Sequence, residues 1–74
     1  MPVIDPEMTT AELMRIAADH GQKRVVLSDS EKEQLVQLLK RRAQEELDYG
    51  QEIEFETVRL VRRVTGAVGL YFNS

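Results

Sequence analysis

The stretch Glu52-Ile53-Glu54-Phe55-Glu56-Thr57-Val58-Arg59-Leu60-Val61-Arg62-Arg63-Val64-Thr65 decides the fold, because its apolar residues obey two periods. From Glu52 to Glu56 they alternate with acids, which is the period of a strand with one wet face. The same acids also suit a helix start, where carboxylates face the positive end of the dipole. From Phe55 the spacing lengthens. Phe55, Val58, Val61 and Val64 recur every third residue with Leu60 beside them, and Gly66 follows as a stop. This spacing predicts a helix over about residues 55–65, after a brief extended stretch or acid-rich helix start at 52–56.

Toward the C-terminus, Ala67 to Phe72 is interrupted by glycine but is aromatic and β-branched, and it predicts a closing strand. Toward the N-terminus, Leu35, Val36, Leu38, Leu39, Ala43 and Leu47 form one stripe of a helix over about residues 30–49, which Gly50 ends. Ser28 with Glu31, and Ser30 with Glu33, have capping-box spacing at its start. Ahead of it, Val25-Val26-Leu27 predicts a short strand within residues 22–28, paired with the closing strand. A first helix over about residues 10–20 follows from the Thr9/Glu12 capping box, the face Leu13, Ile16, Ala17 and His20, and the stop Gly21. Pro2 and Pro6 disfavour helix in residues 1–8, which predicts an extended lead-in. The expected architecture is a helix-rich α+β domain over residues 1–74. It has three helices and a short two-stranded pairing, in the order α-β-α-α-β.

A chain of 74 residues buries only about 60% of its unfolded surface, and with no cysteine it has no disulfide or cysteine-based zinc site to reinforce the core. That points to self-association or docking as the remaining reinforcement. Met1-Pro2-Val3-Ile4-Asp5-Pro6-Glu7 lacks the basic start and apolar run of a secretory signal. The longest uninterrupted apolar runs, such as Val25-Val26-Leu27, are too short to cross a bilayer, so a cytoplasmic location without membrane contact is expected. A net charge of −3 argues against bulk attraction to nucleic acid or anionic lipid.

Catalytic chemistry is not visible. His20 is the chain's one histidine, at a helix end, with no spacing that favours a serine or threonine as its partner. Glu52, Glu54 and Glu56 would share one strand face, but no ligand-rich loop accompanies them for a cation. No phosphate-cradling glycine loop is present. The expectation is a protein that is not an enzyme and carries no cofactor or metal.

Two segments invite comparison with helix-turn-helix motifs. After Leu13–Gly21 the chain turns to strand and cap chemistry where a recognition helix should stand. Thr57–Phe72 is faintly similar to the helix-turn-helix of tetracycline-repressor-type regulators, where a helix ends at glycine and an aromatic-rich helix follows. Arg62 stands where that family has a small residue, and Gly69 falls inside the would-be recognition helix. No family is assigned from it.

What remains is charge placement. Acids crowd residues 45–56, flanked by Lys40-Arg41-Arg42 on one side and Arg59, Arg62 and Arg63 on the other. On a helical wheel Arg42 and Glu46 fall inside the apolar stripe of the second long helix, beside Leu47. Burying such a charge unpaired costs several kcal/mol, so this part of the helix is expected at the rim of the core or against another molecule, the alternative being that Arg42 and Glu46, four residues apart, pair with each other as a surface bridge. Arg42, Glu46, Leu47, Arg59, Arg62 and Arg63 are therefore the candidate partner-binding residues. The expected function is that of a small regulatory or adaptor protein acting through protein–protein binding. A homodimer is also expected, with Arg42 of one copy meeting Glu46 of the other. The alternatives are a small dimeric DNA-binding regulator and a subunit of a larger assembly.

Overall fold

The structure, a computed structural model, describes residues 4–72. The first three positions of the lead-in lie outside the described residues. Among the described residues the chain forms helix α1 (Thr10–Gly21), helix α2 (Asp29–Glu46) and strands β1 (Glu52–Phe55), β2 (Val58–Arg62) and β3 (Val68–Phe72). The strands make an antiparallel meander in the order β1-β2-β3, with both helices on one face.

This corrects the expected fold in three places. The order is α-α-β-β-β, not α-β-α-α-β, and the sheet has three strands instead of two. Residues 55–65 are not a helix: they are the end of β1, a turn and β2. Residues 24–28 are not a strand, and the closing strand pairs with β2.

The physical reason lies in which residues the three-residue spacing collected. Val58 and Leu60 alternate onto one face and are fully buried, while Arg59 and Val61 take the other. The supposed helical stripe therefore divides between two faces and a turn, since Val64 is 77% exposed. Valines at this density are stiff at χ1 and favour the pleated surface over the helix. Val25-Val26-Leu27 fails as a strand because only Leu27 enters the core, while Val26 is 84% exposed.

The helix starts follow the sequence reading. Thr9 and Ser28 are N-caps, and each forms a reciprocal capping box with Glu12 and Glu31. The helix ends differ from it. Gly21 is the last residue of α1, not its stop. The left-handed position that closes the helix is Lys23, with φ 61°. Its N–H donates to the His20 carbonyl at 3.1 Å, and the Arg24 N–H donates to the Asp19 carbonyl at 2.8 Å, which together make a Schellman motif. Gly21 serves packing: a Cβ there would stand 3.2 Å from the Phe72 ring. Helix α2 closes at Leu47. Gly50, at φ 81°, occupies the third position of the turn Asp48–Gln51 and opens a bulge against Arg62.

The core runs between the helices and the inner sheet face. Leu13, Met14, Ala17 and Ala18 of α1 and Leu35, Leu39 and Ala43 of α2 pack over Val58 and Leu60, with Ile4, Leu27 and Leu47 at the margins. Ile53, Val68 and Leu70 border it.

Candidate functional site: the free edge of β1 and its groove

A three-stranded meander leaves two free edges. In antiparallel pairing, successive residues direct their N–H and C=O groups to alternate sides. The Arg62 N–H donates to Gln51 at 2.9 Å and the Arg63 N–H to Ala67 at 2.8 Å, which fixes the phase. Gln51, Ile53 and Phe55 of the first strand region therefore bond to β2. Glu52 and Glu54 turn their backbone groups outward. On the other edge Val68, Leu70 and Phe72 do the same.

Beside the β1 edge lies a groove of about 730 Å³. Ala11, Met14, Ile53 and Phe55 supply its apolar surface, and α1 and β1 form its walls. Glu12, Asp19, Glu54 and Glu56 set four carboxylates around it against two guanidiniums, Arg15 and Arg24. Arg24 is already committed, at 2.9 Å from both Asp19 and Glu56. The hydrogen bond to Glu56, reinforced by both carboxylate charges, raises the Arg24 pKa further above its ordinary value. Among the described residues, Glu54 makes no ion pair, because its cross-strand neighbour Arg59 reaches Glu52 at 3.5 Å. The groove thus presents an acidic rim over apolar walls, along a strand with unsatisfied backbone groups.

The six sequence candidates do not form one site. Arg42 donates to the Pro6 carbonyl at 2.7 Å and to Thr10 Oγ1 at 3.4 Å. Glu46 accepts from Thr10 Oγ1 at 2.7 Å and lies 3.9 Å from Arg42. The pair therefore fastens the lead-in and the start of α1 onto α2, and the premise of an unpaired charge in the stripe falls away. Leu47 is a core residue. Arg62 donates to the Gln44 and Leu47 carbonyls at 2.8 and 2.9 Å, capping α2, and its guanidinium stands 4.5 Å from the Tyr49 ring centroid. Arg59 and Arg63 lie on the outer sheet face, where Arg63 donates to the Tyr71 hydroxyl at 2.6 Å. Met14, Ile53, Phe55 and Glu54 were not among the candidates. For Ile53, Glu54 and Phe55 the signal in the sequence is the alternation at residues 52–56, which was shared with the helix reading; no such signal marks Met14.

His20 Nδ1 is buried without a hydrogen-bond partner among the described residues. Among those residues, no group of three or more His, Cys, Asp or Glu side chains gathers where a metal ion could bind. Nor is any described helix long and apolar enough to cross a membrane. Comparison with protein-family models, curated proteins and solved structures finds no match to this chain.

Proposed function

We propose that the chain is a small adaptor that binds another protein by taking an extended segment of it along the free edge of β1. The observation that carries this reading is the apolar groove of about 730 Å³ beside an edge whose Glu52 and Glu54 backbone groups face outward. Strand addition draws affinity from main-chain hydrogen bonds and specificity from alternate side chains. Residues of the guest that face inward would meet Ala11, Ile53 and Phe55. Those facing outward would lie beside Glu52 and Glu54. The chemistry that fits is an extended segment alternating apolar with basic residues. Opposite charges across paired strands stabilise and like charges oppose, so an acidic guest is rejected.

The dispersal of the arginines supports a protein partner over nucleic acid. Arg42 and Arg62 are spent on backbone carbonyls, and Arg24 and Arg59 are paired with carboxylates. These four arginines are thereby withdrawn from contact with a phosphate backbone.

The test is a titration of the ¹⁵N-labelled chain with a capped hexapeptide alternating Lys and Val, against one alternating Glu and Val. The basic peptide should shift the amides of Glu52, Glu54 and Ala11, and rising salt should weaken it. Equal binding of both peptides, or shifts confined to surfaces away from α1 and β1, would defeat the proposal.

A further inference from the structure

The two free edges differ in chemistry. Strand β1 places Glu52 and Glu54 on its outward-facing backbone, a device by which proteins prevent identical edges from pairing. Strand β3 reads Val68-Gly69-Leu70-Tyr71-Phe72 and carries no charge. Tyr71 and Phe72 are 40% and 41% exposed. Among the described residues, no hydrogen bond reaches the backbone of Val68, Leu70 or Phe72 from the free side. An uncharged, exposed edge of this kind is a template for pairing.

We infer that β3 is a self-association edge: two copies of the chain pair β3 with β3 antiparallel about Leu70, and the two meanders join into one six-stranded sheet. The occupant is argued from the strand's own symmetry. A two-fold contact needs a surface complementary to itself. With Leu70 on the axis, Val68 of each copy stands opposite Phe72 of the other on the inner face. Beside Val68 is an open groove of about 430 Å³ between β3 and α2, bordered by Leu38 and by the polar side chains Gln34, Gln37, Lys40, Arg41 and Gln44. The half-exposed Phe72 ring, one side of which packs beside Gly21 of its own α1, would turn its outer side to Val68 at the margin of that groove, and the axis provides the contact twice. On the outer face Gly69 would stand opposite Tyr71 of the other copy. Tyr71 of the same strand already covers Gly69, where a Cβ would meet the ring at 2.9 Å, so the outer face leaves no bare glycine backbone at the seam. No like-charge pair arises between the strands. A β1–β1 pairing would bring glutamates face to face. This inference concerns the edge opposite the proposed partner groove and stands independently of it.

The test uses the whole chain, which at 74 residues is within reach of chemical synthesis. Sedimentation equilibrium should give twice the 8.5 kDa chain mass at high micromolar concentration. N-methylation of the Leu70 amide removes an outward-facing donor and leaves every side chain and the β2–β3 bonds in place, so it should return the monomer mass. N-methylation of Glu54, on the opposite edge, should leave the dimer intact. A second measurement does not depend on a variant. The amides of Val68, Leu70 and Phe72 should exchange with solvent at least tenfold more slowly at high protein concentration than at low, while those of Glu52 and Glu54 should not change. A monomer throughout the concentration range would overturn the inference. So would a dimer that survives N-methylation of Leu70, or one that dissociates on N-methylation of Glu54.

Discussion

Replacing Lys23 with glycine should stabilise the protein, which is an unusual expectation for the loss of a charged surface residue. Lys23 holds φ at 61°, in the left-handed region that closes α1. An L-residue with a Cβ pays about 1–2 kcal/mol there. Glycine pays no such strain, but its unfolded chain is freer, which returns about 0.4–1 kcal/mol. The balance is a gain of about 0.5–1 kcal/mol. For a domain of this size that corresponds to a rise in Tm of about 2–8 °C. The Lys23 side chain is exposed and, among the described residues, makes no hydrogen bond or ion pair, so nothing offsets the gain. Lys23→Ala keeps the strain and serves as the control, with a change within about 0.5 kcal/mol. Gly21→Ala completes the set. Alanine gains about 1 kcal/mol of helix propensity at a helical position. Its Cβ would stand 3.2 Å from Phe72 Cδ1, so the half-exposed ring must give by a few tenths of an ångström, and the net change should be near zero. Thermal denaturation followed by circular dichroism at low micromolar concentration measures all three. A loss on Lys23→Gly together with a loss above 1 kcal/mol on Gly21→Ala would mean that Gly21 is the helix stop, and would refute the Schellman assignment.

Three further outcomes follow from the packing and the caps. Arg62→Ala should cost about 1.5–3 kcal/mol in denaturant unfolding, because it removes charged hydrogen bonds to the Gln44 and Leu47 carbonyls, and Arg62→Lys should not restore it. Leu39→Ala empties a fully buried position between α2 and the sheet and should cost about 2–5 kcal/mol in the same assay. The Glu31 carboxyl is held below its ordinary pKa, first by the Ser28 N–H at 3.0 Å and then by the Ser28 hydroxyl. Its ionised form therefore contributes stability in full above the unfolded value of about 4.3, and that contribution fades as pH falls through the depressed folded value. Glu31→Gln should flatten the acid limb of a Tm-against-pH curve there and leave the neutral side parallel to the parent.

The parts of the fold legible in the sequence are those whose signals are local. Thr9 with Glu12 and Ser28 with Glu31 place both helix starts to within a residue or so, because a capping box is made by side chains three positions apart. The hairpins were not legible for a reason equally local. The turn between β1 and β2 is Glu56-Thr57, with φ 52° at Glu56, where asparagine or glycine is the usual sign. The chain keeps a strained glutamate there, and its side chain accepts from Arg24 at 2.9 Å. Without a turn signal, Phe55, Val58 and Val61 read as one continuous helical face. The second hairpin did carry its sign, since Gly66 at φ 93° ends the short loop after β2. It was read as a helix stop because glycine marks both. The density of β-branched residues was the signal that could have separated the two readings.

The site was less legible than the fold, because what an arginine does depends on which carbonyl the fold brings to it. Arg42, Arg59, Arg62 and Arg63 are alike as sequence. One ties down the lead-in, one pairs with Glu52, one caps α2 and one meets a tyrosine hydroxyl. No spacing rule distinguishes them, since their partners lie 36, 7, 15 and 8 residues away. The edges are another matter. Once the order β1-β2-β3 is known, Glu-Ile-Glu-Phe and Val-Gly-Leu-Tyr-Phe become the two borders of the sheet, one guarded by charge and one bare. That difference was written in the sequence throughout. It acquires meaning from topology, because the same glutamates in a central strand would be a cost, and at an edge they select which strands can approach. A chain with too small a core to stand far from its stability limit has reason to cover its bare edge and keep the guarded one open.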